Sequence, residues 1–239
     1  MPQTKYKYVI FDADHTLIDF YADERAAFRR TFSFFGANYT EEDIERARVA
    51  SDSAWAEAGL NDVHLESVRA TFHTAYFAHI PGLFARIREF LPVNATNEAL
   101  AEKFLRELNA PSLPLGNALQ VLKTVAEKYP VCIATNGMRE MQEGRLREFL
   151  PYVRKLFVSQ DFGTIKPDVV FFEKMLSVLH AKPQECLFVG DSLSSDVRGC
   201  IAVGMPCVWF DPDGRELPGD CRGHNVRVVT KLEELSEFL

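Results

Sequence analysis

Cysteine is scarce in this sequence and follows no spacing pattern. Five cysteines are spread over 239 residues, and no two of them form a C-x-x-C pair. An odd and dispersed set argues against a disulfide scaffold and indicates reduced thiols, so we expect a cytoplasmic protein. Several of the five lie in or beside apolar runs, where a cysteine usually serves as a small core residue.

Long apolar runs are also absent. No apolar stretch approaches the roughly 20 residues that a helix needs to cross a bilayer. Near the N-terminus, Asp12 interrupts the apolar run that follows Lys5 and Lys7, a pattern that is not typical of a signal peptide. We therefore expect no membrane partner.

Positive charge is in the minority. The chain has 27 lysines and arginines against 34 acidic residues, which gives a formal net charge of -7. This balance argues against a nucleic-acid polymer or an anionic membrane as the main partner, but it allows a small phosphorylated ligand in a local positive site. With 47% hydrophobic residues and no internal repeat, the chain is long enough for one large domain or for a core with a smaller partner domain.

Six short runs rich in β-branched or aromatic residues predict strands. Each is bounded by turn residues, and most are apolar on both faces, as in a parallel sheet that helices cover on both sides. Helical patterns alternate with the later runs, one of them at Ser195–Val203, and this alternation predicts a Rossmann-like, doubly wound α/β sheet. The predicted strands are Tyr8–Phe11, Val131–Thr135, Lys155–Ser159, Leu187–Gly190, Cys207–Phe210 and Val226–Thr230.

Between the first two predicted strands, helix follows helix and no convincing strand interrupts them. The longest of five helical patterns here is Thr40–Ala58, and Thr40 has the residue type of an N-cap. We predict that residues 19–111 form an all-helical cap domain. It is inserted into a core domain formed by residues 1–18 and 112–239.

Polar side chains follow four of the predicted strands. In open α/β sheets, ligands bind outside the carboxyl ends of the strands, so we expect these side chains to meet at one edge of the sheet. They comprise acids, hydroxyls, an amide and a lysine. In chain order they are Asp12, Asp14, Thr16, Thr135, Asn136, Lys166, Asp191 and Asp196.

Taken singly, several of these positions have an ordinary structural explanation. Thr135 opens a T-N-G turn, Lys166 alone is typical of a solvated surface lysine, and Asp196 fits the N-cap of the following helix. Asp12 and Asp191 are harder to explain in this way, because each follows a run too apolar to tolerate an unpaired charge nearby.

In this order, and each at a predicted strand end, the residues resemble the four motifs of the haloacid dehalogenase (HAD) superfamily. FDADHTL matches the D-x-D-x-T motif, Thr135 and Lys166 match the single Thr or Ser and the Lys, and GDSLSSD matches G-D-x-x-x-x-D. The resemblance covers nearly the whole chain. It implies a Rossmann-like core, and it places the helical insertion where the superfamily has its C1 cap.

The resemblance implies catalytic roles for the two acids of the first motif. Asp12 would be the nucleophile that forms an aspartyl-phosphate, which splits one difficult displacement into two easier ones. Asp14 would protonate the leaving alcohol and later deprotonate the attacking water. Asp14 also favours phosphoryl chemistry over dehalogenation, because haloacid dehalogenases lack this second acid.

The resemblance further implies a Mg²⁺ cofactor. We expect the ion on Asp12, Asp191 and the backbone carbonyl of Asp14, since oxygen ligands suit it and since repulsion between two anions at ~4 Å, on the order of 4 kcal/mol, needs neutralising. Asp196 would hold metal-bound water or orient the ligands. The groups expected to bind the phosphoryl oxygens are Thr135, Lys166 and the amide of Asn136.

Within the superfamily, four segments most resemble the bacterial pyrimidine 5'-nucleotidases: FDADHTL, TNGMREMQEGRL, IKPD and GDSLSSD. This implies a small phosphorylated metabolite, a nucleoside 5'-monophosphate, as the substrate. The alternatives are a sugar-phosphate or phosphoglycolate phosphatase, a phosphomutase, a haloacid dehalogenase, and a catalytically idle domain used for binding or regulation.

Two residues outside the motifs are singled out. Trp55 is a candidate to stack on a nucleotide base, a contact worth about 1–3 kcal/mol, although aromatic residues at helical spacing usually pack in a core. His15 departs from the residue types expected between the second acid and the threonine of the first motif. For His15 we favour a structural or solvent-facing role over pH sensing.

Overall fold

A six-stranded parallel sheet forms the centre of the protein. The computed structural model describes residues 5–239, so residues 1–4 of the predicted core segment lie outside the described part. Within it, the strands are β1 Tyr8–Phe11, β2 Val131–Thr135, β3 Lys155–Val158, β4 Cys186–Gly190, β5 Cys207–Phe210 and β6 Val226–Val229. Their order is β3-β2-β1-β4-β5-β6, and all neighbours are parallel. The predicted doubly wound sheet is confirmed.

Helices surround this sheet. Those in residues 5–239 are α1 Phe20–Phe34, α2 Glu41–Glu57, α3 Glu66–Ala78, α4 Ile80–Phe90, α5 Asn97–Leu108, α6 Ala118–Ala126, α7 Arg139–Arg145, α8 Ser159–Phe162, α9 Val169–Leu179 and α10 Arg198–Val203. None of them is both long and apolar enough to span a membrane. The five cysteines are free and buried, which agrees with a role as core residues.

The central strand β1 is covered on both faces. Val9 packs in one hydrophobic cluster with Leu122 of α6, whereas Ile10 packs in a second cluster with Phe172 of α9. Successive side chains of a strand point to opposite faces of the sheet, so neighbouring residues of β1 serve two separate cores. The polar residues after β1 therefore lie at the carboxyl edge, between the two cores.

Helices α1 to α5 are inserted between β1 and β2 and have a hydrophobic cluster of their own. In it, Phe28 of α1 stacks on Phe104 of α5 with ring centroids 4.5 Å apart. Thr40 is the N-cap of α2, as predicted: its Oγ1 accepts from the Asp43 N–H, and the Asp43 carboxylate accepts from the Thr40 N–H at 2.9 Å. These features support the proposed division into a cap and a core domain.

The inserted helices contact the core next to the carboxyl edge of the sheet. Phe72 of α3 packs in a small cluster with Ile165, which precedes the motif lysine. His73 of α3 forms a hydrogen bond between its Nε2 and Ser159 Oγ at 2.8 Å. These contacts hold α3 over the region where the polar motif residues lie.

The predicted helix Ser195–Val203 is only partly correct. Leu193–Val197 forms a wider π-helical turn, and the α-helix begins at Arg198. Ser192 caps the turn, because its Oγ accepts from the backbone N–H of Ser195 at 3.1 Å. Asp196 lies inside the turn, so the explanation of Asp196 as an N-cap is wrong.

Candidate active site

Asp12 lies directly after β1, at the centre of the carboxyl edge of the sheet. Its backbone N–H donates to the carbonyl oxygen of Val189 at 2.8 Å, which continues the pairing of β1 with β4 by one step. Its side chain is almost fully buried, and Oδ1 accepts a hydrogen bond from Lys166 Nζ at 2.6 Å. Both the backbone and a cation therefore fix the position of this carboxylate.

Lys166 is a buried cation. Its side chain is 2% exposed, and Nζ donates to Asp12 Oδ1, to Asp196 Oδ1 at 2.7 Å and to the carbonyl oxygen of Ala134 at 2.9 Å. Burial alone would lower the pKa of Lys166, but the two carboxylates raise it above its usual value, so the side chain stays charged. The explanation as a solvated surface lysine is therefore wrong.

Asp12, Asp191 and Asp196 form a buried acid cluster in which one oxygen of each lies within 4.8 Å of the others. Burial raises the pKa of Asp12 and of Asp191 to about 7, and the nearby Lys166 opposes this only in part. Three carboxylates beside one ammonium group leave negative charge in excess. A divalent cation that prefers oxygen ligands, such as Mg²⁺, fits both the donor atoms and the charge.

Within this cluster, both oxygens of Asp196 are already engaged by protein donors. Oδ1 accepts from Lys166, and Oδ2 accepts from the backbone N–H of Ser192 at 3.1 Å. The Asp191 carboxylate accepts fewer hydrogen bonds: among residues 5–239 it accepts one, from the hydroxyl of Thr16 to Oδ1 at 3.0 Å. The expected division, with Asp191 as a ligand and Asp196 as an orienting group, fits this geometry and stays a prediction.

Thr16 joins the loops after β1 and β4. Its Oγ1 donates to Asp191 Oδ1 and accepts from the Asp191 backbone N–H at 3.1 Å. Trp209 of β5 adds a third restraint, because its Nε1 donates to the Asp191 carbonyl oxygen at 2.8 Å. Asp191 is thus held from its neighbours on both sides, which explains the threonine of the first motif.

Asp14 is held by residues of α7 that are separate from the acid cluster. Its Oδ1 lies 2.6 Å from Nη2 of Arg145, and its Oδ2 accepts from Gln142 Nε2 at 3.0 Å. Burial would raise the pKa of Asp14, but Arg145 and Gln142 together lower it below its usual value. Gln142 Nε2 also donates to Thr135 Oγ1 at 2.7 Å, so one amide group connects the predicted acid–base residue with the predicted phosphoryl-binding hydroxyl.

Asn136 has a role that the sequence did not indicate. Its side-chain Oδ1 accepts from the backbone N–H of Lys166 at 2.8 Å, and its Nδ2 donates to the Lys166 carbonyl oxygen at 3.0 Å. The Asn136 side chain therefore clamps the lysine loop onto the loop after β2. The expected contact of its backbone amide with a phosphoryl group stays a prediction.

A cavity of about 370 Å³ opens between this edge and the inserted helices. Of the predicted residues, Asp12, Asp14, Asn136, Thr135, Lys166, Asp191 and Trp55 line it. The Trp55 ring is half-buried and makes edge-to-face contacts with Phe72, Tyr76 and His79, at 5.5 to 5.9 Å between centroids. Trp55 thus combines the packing role with a position at the cavity wall.

His15 also lines the cavity and lies against the ring of Tyr21, with centroids 4.5 Å apart. Its backbone is left-handed, with φ at 59°. Burial lowers the pKa of His15, although the nearby Asp14 opposes the shift. A neutral imidazole in an aromatic contact agrees with the structural role that we favoured.

Sequence reasoning missed three residues of the site: Gln142 and Arg145, which hold Asp14, and Glu24, which lines the cavity. The first two lie three residues apart on α7, inside the segment TNGMREMQEGRL, and residues at this spacing share one helix face. This spacing in the sequence could have indicated that Gln142 and Arg145 act at the same place. Glu24 of α1 had no comparable signal, because a single acid on a helix is usually solvated.

The family model described as "haloacid dehalogenase-like hydrolase" matches residues 6–204 of the chain. Among curated proteins, pyrimidine 5'-nucleotidase PynA of Streptococcus pneumoniae is 27% identical over 211 residues, which are 87% of this chain and 84% of that one. Pyrimidine 5'-nucleotidase YjjG of Escherichia coli is 26% identical and is matched over 98% of both chains. The resemblance predicted from the motifs is thus confirmed.

Solved structures agree on the fold. The HAD-hydrolase YfnB of Bacillus subtilis, solved with bound magnesium, superposes with a TM-score of 0.77 at 24% identity and covers 98% of both chains. The family match over residues 6–204, together with the acid cluster and the buried lysine at the carboxyl edge of the sheet, shows that this chain belongs to the haloacid dehalogenase-like hydrolases.

Proposed function

We propose that this protein is a Mg²⁺-dependent phosphomonoester hydrolase that acts through an aspartyl-phosphate on Asp12, and that its substrates are nucleoside 5'-monophosphates, chiefly pyrimidine ones. The arrangement at Asp12 carries the proposal: a buried carboxylate lines the cavity, with a buried lysine at 2.6 Å and an acid cluster around it. The names of the relatives PynA and YjjG support the substrate class.

Asp12, Asp191 and the backbone carbonyl of Asp14 would hold the Mg²⁺ ion. When bound, the ion would supply positive charge that lowers the repulsion between the anionic nucleophile and the anionic phosphoryl group. The acid cluster and its excess of negative charge support this assignment, and so does the magnesium in the structure of YfnB.

In the first step, an oxygen of Asp12 attacks phosphorus, the bond to the leaving oxygen breaks, and Asp14 gives that oxygen a proton. Lys166 and Thr135 bind phosphoryl oxygens as charge spreads over them. Asp14 is kept in position by Arg145, whose Nη2 lies 2.6 Å from Oδ1, and by Gln142, whose Nε2 donates to Oδ2 at 3.0 Å. Because Arg145 lowers the pKa of Asp14, this group is a carboxylate in the free enzyme, and it takes up a proton from the solvent before the first step.

In the second step, water attacks the aspartyl-phosphate and Asp14, now a carboxylate, takes a proton from that water. The lowered pKa of Asp14 favours this basic form. Asp12 is released as a carboxylate, and inorganic phosphate leaves. Lys166 then again neutralises Asp12 through the 2.6 Å contact.

Asp14 also argues against dehalogenation, which needs no acid to protonate a leaving alcohol. The buried polar network from Asp196 through Lys166 to Asp12 argues against an idle binding domain. Burying these charges carries a desolvation penalty, which a domain without catalytic function has no reason to retain. The five free, buried cysteines support a reducing compartment, so we place the enzyme in the cytoplasm.

The test is a panel of phosphate esters ranked by kcat/KM with and without Mg²⁺. It comprises pyrimidine and purine nucleoside 5'-monophosphates, hexose phosphates and phosphoglycolate. Pyrimidine nucleotides should lead, and hydrolysis should stop without metal. A panel led by hexose phosphates would overturn the substrate class but not the reaction, whereas no hydrolysis of any ester would overturn both.

A further inference from the structure

The cavity has two chemically different halves. The half formed by the core carries the reacting groups, which bind the phosphoryl group common to every phosphomonoester. The half formed by the inserted helices faces the leaving group and must decide which ester is accepted. It is lined by residues that include Glu24, Ser51, Asp52, Trp55, Tyr76 and His79.

Glu24 of α1 is an unusual residue to find in such a wall, because it is only 3% exposed. Its Oε1 accepts a hydrogen bond from Ser51 Oγ of α2 at 2.6 Å. Its Oε2 is buried and has no hydrogen-bond partner among residues 5–239. A buried carboxylate oxygen without a partner is unfavourable, so a ligand that donates a hydrogen bond to it would be bound preferentially.

The cap half also lacks positive charge. Among the described residues that line it, none is a lysine or arginine, whereas Glu24 and Asp52 are acids. Arg48 of α2 does not line the cavity and is already paired with Asp52 and Glu45, both at 2.6 Å, and Arg25 is paired with Glu45 at 2.9 Å. A second phosphate or a carboxylate on the leaving group would therefore meet acids here.

The remaining walls are neutral and aromatic. Burial lowers the pKa of His79 and keeps its ring uncharged, and it raises the pKa of Tyr76 to about 12. The Tyr76 hydroxyl already donates to Met141 Sδ at 3.6 Å. Together with Trp55, these rings form flat, uncharged surfaces beside the acceptor that Glu24 offers.

We infer that Glu24 selects the leaving group: the cap half of the cavity accepts an uncharged leaving group that donates a hydrogen bond to the Glu24 carboxylate, and it disfavours an anionic one. A flat heterocycle with an N–H group, such as the imide of uracil, meets both requirements. The inference rests on the proposed phosphomonoester hydrolysis.

The hydrogen bond is tested with uridine 5'-monophosphate and its N3-methyl derivative, which lacks the N–H donor. At pH 8 the native enzyme should favour the unmethylated ester in kcat/KM by about ten-fold or more, the value of a hydrogen bond to a charged group. Glu24→Met removes the acceptor at similar volume and should abolish this preference by slowing only the unmethylated ester. A preference that survives in Glu24→Met overturns the inference.

The charge effect is tested with 2-hydroxyethyl phosphate and 2-phosphoglycolate, which differ only in a neutral alcohol and a carboxylate. The native enzyme should favour the neutral ester, and Glu24→Gln should narrow the difference by raising kcat/KM for 2-phosphoglycolate. A native enzyme that favours 2-phosphoglycolate, or a Glu24→Gln variant with unchanged discrimination, contradicts the inference.

Two controls separate this inference from folding and from the proposed function. Circular dichroism and melting temperature report whether both Glu24 variants fold, and the exposed Glu42 changed to Met or Gln should behave as the native enzyme. The same ester pairs are also ranked by dissociation constant in calorimetry, which needs no turnover. Equal affinities within each pair overturn the role of Glu24 even if the enzyme proves inactive.

Discussion

At the scale of single residues, the site depends on a few carboxylates in unlike surroundings. Asp12 lies beside a buried lysine, Asp14 beside a buried arginine, and Glu24 beside a serine hydroxyl alone. Burial penalises a charge unless a partner compensates it, so burial raises the pKa of Asp12 and of Glu24 to about 7, whereas Arg145 and Gln142 lower the pKa of Asp14.

Asp12→Asn should abolish turnover and leave the fold intact. The amide keeps the size of the side chain but removes the nucleophile and a charged metal ligand. We expect less than about a hundredth of the native kcat, given the usual contribution of a catalytic group. The measurement is kcat together with circular dichroism, and retention of higher activity in a purified variant would contradict the covalent mechanism.

Asp14→Asn should act on proton transfer. The substitution keeps the backbone carbonyl, so metal affinity should persist while the rate falls by roughly 10²–10⁴ for a nucleotide. In single-turnover experiments, phosphorylation by p-nitrophenyl phosphate should suffer less, because its leaving group needs little protonation. Equal losses for the two esters would count against Asp14 as the acid.

Glu24 should make the folded protein less stable as the pH rises. Burial raises the pKa of Glu24 from 4.5 to about 7, so between these values the folded state holds a proton that the unfolded state has lost. Stability therefore falls over this window, and above pH 7 the effect is on the order of 3 kcal/mol. Relative to the native protein, the free energy of unfolding of Glu24→Gln should therefore increase by about that amount between pH 5 and pH 8.

Denaturant unfolding of both proteins at the two pH values measures this effect. The other acids titrate equally in native and variant protein, so the difference isolates Glu24. The exposed Glu42→Gln provides the control and should show little change. A stability difference between Glu24→Gln and the native protein that does not vary with pH would refute this assignment.

At the scale of elements, the site depends on how closely the loops after the strands approach one another. The last residue of β4, Gly190, lies against the side chain of Asp196 in the π-helical turn. A Cβ added at Gly190 would lie 2.6 Å from Asp196 Cγ, well inside the contact distance of two carbon atoms. Only glycine lets the turn place Asp196 next to Lys166.

Gly190→Ala should therefore displace Asp196 and lower both activity and stability, since overpacking typically costs about 1–3 kcal/mol. The matched control is Gly82→Ala in α4, where an added Cβ meets no atom within 4 Å. That change should stabilise the protein slightly, because alanine favours a helix over glycine by about 1 kcal/mol. Melting temperatures and kcat of the two variants decide this, and equal behaviour would contradict the close approach.

At the scale of the whole molecule, the acid cluster connects metal binding with stability. Mg²⁺ should raise the melting temperature. At a Mg²⁺ concentration of a hundred times the dissociation constant, the free energy of unfolding should increase by about 2.7 kcal/mol. EDTA should abolish activity, and Mn²⁺ or Co²⁺ should restore part of it. Asp191→Ala should lose the thermal gain with Mg²⁺.

The control for the metal is Asp62→Ala, at an exposed acid on the inserted segment. This variant should keep the full thermal gain and the same Mg²⁺ requirement. A gain that persists in Asp191→Ala would move the metal away from Asp191. Full turnover in metal-free buffer would argue against the ion altogether.

Local patterns in the sequence account for the sheet and for the order of the motif residues. Strands apolar on both faces can only be buried between helices, so runs such as Val131–Thr135 were identified to the residue. Asp12, Lys166 and Asp191 could be predicted to meet, because parallel strands bring their carboxyl ends to one edge. Each of these features follows from patterns within short stretches of the sequence.

The partners that these residues take depend on how the helices and loops pack. Asp14 and Arg145 are more than a hundred residues apart in the chain, and the Glu24–Ser51 hydrogen bond joins two helices. Hydrophobic periodicity gives the face that a helix buries, but it does not give the rotation and distance at which two helices pack. Burial and these pairings together set the pKa values of Asp14 and Glu24; both arise from packing and therefore could not be derived from spacing in the sequence.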